Sequence, residues 1–152
     1  MPTHDLHTTA RQWELIKGQH KKFLYFVRVS AEADNQAPAC SLIAEGECLV
    51  ASAFDKVIDI RWRPVMEADR PMAAEYVFSV QWKGEDFPLL TLLLRRDDAL
   101  YLPQWDGSSI TYSHAENLDN PYLCENVMGR IAEALLRSPA FAPSRPEEAK
   151  RA

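Results

Sequence analysis

The sequence predicts an α+β domain in which a short N-terminal helix, a curved antiparallel meander of five to six strands and a long C-terminal helix pack together. Three observations carry this reading. Apolar residues alternate with polar ones through the middle of the chain, the turn signals between these stretches are closely spaced, and a wide apolar stripe at three- and four-residue spacing fills the end. With 152 residues, 47% of them hydrophobic, the chain has material for one core.

Each element follows from its own residues. Thr9 with Gln12 has the form of a capping box, Trp13 and Ile16 share a face, and Gly18 can end the turn, so a helix of about two turns is expected. Phe23, Tyr25, Val27, Val29 and Ala31 then alternate with Leu24, Phe26, Arg28 and Ser30, which predicts a first strand. Leu42 to Val50, Ile58 to Trp62 and Tyr76 to Trp82 alternate in the same way. Leu89 to Leu94 is apolar on both faces and suits a covered central strand. A shorter strand runs from Leu100 to Pro103, and the Asp106-Gly107 turn allows Ile110 to Tyr112 to return along an edge. Asn120 as N-cap and Pro121 at the first helical position open the last helix, whose stripe is Cys124, Met128, Ile131, Leu135 and Ser138, widened by Leu123 and Val127. Residues 1–138 form the expected domain. From Pro139 to residue 152 prolines and charge predict a flexible tail.

Charge and composition narrow the function. A net charge of −5 argues against a nucleic-acid partner, whose phosphates call for clustered cations, and against an anionic membrane. The N-terminal residues carry an acid and no apolar core, unlike a secretory signal, and the cysteines, Cys40, Cys48 and Cys124, are three with no CxxC. A cytoplasmic protein is expected. No glycine-rich phosphate loop or other cofactor signature is present, so no cofactor is expected.

Four groups of residues bear on chemistry. Cys124 near a helix start, with His114, has the elements of an activated thiol, although a free cysteine in an apolar stripe is ordinarily a small core residue. Pro2-Thr3-His4, with His7, offers an amine and imidazoles to Cu(II) or Ni(II) if Met1 is removed, but the expectation for metal is none. Ser108, Ser109, His114 and Asp119 cluster in sequence without a nucleophile elbow. Finally, Trp62, Trp82 and Trp105, with Tyr101, Tyr112, Arg61 and Arg63, belong to the types enriched at binding hot spots. Trp105, beside Pro103 and the Asp106-Gly107 turn, is the hardest to bury.

The order Glu85-Asp86-Phe87-Pro88, then His114 and Asn117, then Leu123-Cys124 ahead of a helix is similar to that of ubiquitin-conjugating E2-like proteins. That resemblance covers about a third of the chain and departs from the family where Ala115 and Glu116 follow His114 in place of Pro and Asn. It implies a thioester-forming Cys124 with Asn117 stabilising the oxyanion. The first expectation is different: a non-catalytic interaction module of inhibitor, immunity or adaptor type, binding another protein through a sheet edge and an exposed aromatic loop. Trp105, Tyr101, Arg61 and Arg63 are its contact residues, and a homodimer could form through the same edge. A thiol enzyme using Cys124, His114 and Asn117 is the alternative.

Overall fold

The computed structural model describes residues 6–33, 39–67 and 70–141. An N-terminal helix α1 (Leu6–Ala33) is followed by seven strands and a C-terminal helix α2 (Leu123–Leu136). The strands are β1 (Cys40–Glu45), β2 (Cys48–Ala53), β3 (Lys56–Val65), β4 (Ala73–Trp82), β5 (Glu85–Leu94), β6 (Ala99–Asp106) and β7 (Ser109–Asn117). They form one antiparallel sheet in sequence order, the expected α+β meander with seven strands in place of five to six.

The N-terminal third departs most from expectation. Residues 23–31 do not form a strand, and the helix does not stop at Gly18, because α1 runs through both for 28 residues. Its buried side chains include Ile16, Gln19, His20, Phe23, Leu24, Val27 and Ser30, a three- and four-residue repeat. Tyr25 and Val29, which the alternating reading placed beside Phe23 and Val27, are exposed. Thr9 lies inside the helix, and Gln12, assigned to a cap, instead accepts a hydrogen bond on Oε1 from the Met72 backbone N–H at 2.7 Å. Gly18 is exposed in the helix interior, and an added Cβ there would meet no atom within 4 Å. Gly18→Ala is therefore expected to raise stability by about 0.5 to 1 kcal/mol, read as a higher urea midpoint. A loss would indicate a helix broken at this residue.

The second correction concerns Leu42 to Val50, which is a hairpin and not one strand. Gly46, at φ +62°, and Glu47 form its loop, and Leu42 pairs with Ala51 while Ile43 pairs with Val50. Pairing across the loop makes the odd residues of β2 face inward, so Ala51 and Ala53 are buried whereas Val50 is 40% exposed. The β2–β3 turn places Phe54 (φ +51°) and Asp55 (φ +65°) in the left-handed region, a cost for side chains with a Cβ. Two contacts offset it. The Phe54 N–H donates to the Ala39 carbonyl at 2.8 Å, and its ring packs 5.7 Å from Phe141. Phe141 and Ala140, in the segment expected to be flexible, lie against the core, while residues 142–152 of that segment are outside the described residues.

Both helices pack on one face of the sheet and against each other, and α2 reaches β1, β5 and β7. A sheet whose first, fifth and seventh strands touch one helix must curl around it. Ala74, Tyr76, Phe78, Leu92, Leu94 and Leu100 present the buried inner face. The α2 stripe is as expected, with Leu123, Cys124, Val127, Met128, Ile131 and Leu135 all buried. Its start is not. The helix begins at Leu123, and the Asn120 side chain accepts from the Tyr122 N–H ahead of it at 2.9 Å. The first turn is satisfied from α1: Ser30 Oγ accepts from the Cys124 N–H at 3.0 Å and donates to the Pro121 carbonyl at 3.1 Å.

Candidate interaction surface

The β6–β7 hairpin separates from the rest of the sheet. β6 pairs with β7 along its whole length but with β5 only through Leu100 and Tyr101. Each of the facing strands carries a proline, Pro88 and Pro103, which cannot donate to a ladder, and β5 is further irregular at Leu89, where its register with β4 shifts. Beyond Pro103 the hairpin becomes an arm. Residues 104–111 are exposed on both of its faces, and Gly107 takes φ +64° at the tip. Trp105 sits opposite Ile110 on this arm and is 75% exposed.

At the base of the arm the side chains are tied to one another. The Arg95 guanidinium grips Glu67 through Nε (3.1 Å) and Nη2 (2.6 Å), with side-chain exposures of 14% and 9%. It also lies 4.3 Å from the centre of the Tyr101 ring and 5.3 Å from that of Tyr112. Tyr101 donates its hydroxyl to Asp97, and this bond is the first cause of its raised pKa. For Tyr112 burial is the first cause, followed by the charges of Glu67 and Glu75. The Glu67 hydrogen bond likewise holds the Arg95 pKa above its usual range.

The expected contact residues are thus distributed unevenly. Trp105 is free on the arm, whereas Tyr101 is engaged within the protein. Arg61 and Arg63 are exposed on β3, Arg61 pairing with Asp59 and Asp86 and Arg63 with Glu75 at 2.9 Å. Trp62 is half-buried and stacks on His20 of α1 at 4.5 Å, and Trp82 is half-buried beneath Lys56 and Lys83.

The residues of the thiol alternative are placed as follows. Cys124 is 0% exposed, and its Sγ donates to the Val27 carbonyl at 3.5 Å. His114 is exposed on β7, where its Nε2 meets Asn117 Oδ1 at 2.8 Å and its ring is edge-on to Tyr101. Ser109 donates to the Asp106 carbonyl at the arm tip, away from the His114–Asn117 pair in the strand. Among the described residues no group of three or more His, Cys, Asp or Glu side chains could hold a metal. His7 lies in α1, and Pro2, Thr3 and His4 fall outside the described residues.

Sequence reading missed two clusters. Arg95 and Glu67 are 28 positions apart and carry no local signal. The other is His20, buried between elements, with Nδ1 2.7 Å from the Tyr76 hydroxyl and Nε2 3.0 Å from the Glu47 carbonyl. A carbonyl only accepts, so Nε2 carries a hydrogen, and in the neutral ring Nδ1 takes the hydrogen of Tyr76. Burial drives the Tyr76 pKa far above its ordinary value. Tyr76→Phe would strand the imidazole nitrogen and is expected to lower stability by about 1 to 3 kcal/mol in urea unfolding. An unchanged midpoint would show that the hydroxyl makes no buried bond.

No family model, curated protein or solved structure matches the chain. Among the described residues no helix is long and apolar enough to cross a membrane.

Proposed function

We propose that the protein is a non-catalytic interaction module that binds another protein through the β6–β7 arm and the adjoining sheet edge. The observation that carries this reading is Trp105, a large aromatic side chain left 75% exposed on a hairpin that reaches past the core, with Ile110 opposite it. Folding stability alone gives no reason to place a tryptophan there. β7 is an end strand of the sheet, so a partner strand or loop could extend the ladder beside the same arm. The buried thiol of Cys124 favours this reading over a thiol enzyme, whose nucleophile must meet its substrate. Three cysteines with no C-x-x-C spacing accord with a reducing cytoplasm.

The test compares capture from the native host by the parent protein, by Trp105→Ala and by Tyr25→Ala, which removes an exposed ring from α1. Trp105→Ala is expected to change stability by less than about 0.5 kcal/mol, the usual surface effect, and to lose a partner that Tyr25→Ala retains. The same captured set for all three proteins would overturn the proposal.

A further inference from the structure

On the outer side of the sheet, the β3–β4 connection and the arm enclose a cleft of about 520 Å³. Its size falls in the range of small-ligand sites. Val65, Met66 and Ile110 give it apolar walls, and Met66 is half exposed. The charges that line it do not cancel. Glu67 is held by Arg95 and Glu75 by Arg63, so both carboxylates have a guanidinium. Arg70 also lines the cleft and has no ion-pair partner among the described residues. Tyr112 lines it as well, and its hydroxyl has no hydrogen-bond partner among them. Burial and the two carboxylates keep that phenol protonated, hence a donor. Among the described residues, Arg70 and Arg95 of the lining, with Arg63, which is not part of the lining but holds Glu75, make three cations to two anions, a surplus of one positive charge in a chain of net charge −5.

We propose that this cleft binds an organic monoanion, a single carboxylate on a compact apolar body, with the carboxylate on Arg70 and Tyr112 and the body against Val65, Met66 and Ile110. A surplus of one charge suits a carboxylate. A phosphate dianion would find no second free cation among the described lining residues and would be repelled by Glu67 and Glu75. Arg95 stays with Glu67, because drawing it to a ligand would leave a carboxylate buried and unpaired. Trp105 is not among its lining residues, so the site shares only Ile110 with the aromatic end of the arm. A free small carboxylate and the terminal carboxylate of a peptide share the required chemistry.

Methyl NMR at Met66 and Ile110 tests the assignment on the full chain, with 3-phenylpropanoate, the peptide N-acetyl-Gly-Phe with a free carboxyl terminus, and 3-phenylpropanamide as probes. At least one carboxylate is expected to shift both methyls saturably. Arg70→Ala should weaken that binding at least tenfold at unchanged melting temperature, Tyr112→Phe should weaken it several-fold, and the amide should give no saturation. Response to the propanoate alone marks a small-molecule site, and response to the peptide alone marks a chain-terminus site. The proposal is overturned if neither carboxylate saturates below about 10 mM, weaker than a specific site requires. It is overturned equally if the amide binds as well as the acid, or if a folded Arg70→Ala binds as the parent does.

Discussion

Leu135→Ala is expected to lower the unfolding free energy by about 2 to 5 kcal/mol, the largest loss anticipated for a single truncation here. Leu135 is fully buried in the last turn of α2, the helix that touches β1, β5 and β7 at once. A cavity at this point cannot close by moving one neighbour, because α2 is held against three strands of the curled sheet at once. Two residues on, Arg137 is exposed and among the described residues pairs with Glu133 one turn back at 2.7 Å. Arg137→Ala should therefore cost no more than about 0.5 kcal/mol. Urea midpoints of the two variants make the comparison. Equal, small losses would show that α2 is not the element that closes the core.

Glu67→Ala should cost about 3 kcal/mol, because it removes the only carboxylate among the described residues that is bonded to a largely buried guanidinium while leaving the guanidinium in place. Two features limit the loss. Arg95 keeps 14% of its side chain in water, and the faces of Tyr101 and Tyr112 continue to attract the cation. Glu67→Gln retains one oxygen acceptor and should lose less. The double variant Glu67→Ala with Arg95→Met should recover part of the loss, since it leaves no buried charge unpaired. A double variant as weak as the sum of the single ones would mean that the ion pair is not what joins the β3–β4 connection to the arm.

Legibility in the sequence depended on how far apart the deciding residues lie. The C-terminal stripe of α2 was readable because its alternatives are poor: the 14 residues Leu123–Leu136, without an interior proline and with apolar side chains at three- and four-residue spacing, can bury them together only as a helix. Strands β3 and β4 were readable from alternation, and the arm tip from Asp106-Gly107. The same alternation misled at Phe23 to Ala31, where period two and period 3.6 select overlapping sets. Phe23 and Val27 satisfy both, and the burial of Leu24 and Ser30 with the exposure of Tyr25 and Val29 decides for the helix.

By itself, then, the sequence determined the α+β class, the antiparallel meander, the closing helix and the exposure of Trp105, because each rests on neighbours in the chain or on composition. The tertiary structure alone decided the rest. Whether residues 18–31 continue a helix depended on a curled sheet that offers His20 a tyrosine hydroxyl and a carbonyl. The start of α2 depended on Ser30, 94 positions from Cys124, and the cleft depended on bringing Arg70 and Tyr112 to one opening. Side chains so far apart meet only after the chain has collapsed, when burial makes each unpaired polar group costly and so selects the arrangement that pairs them.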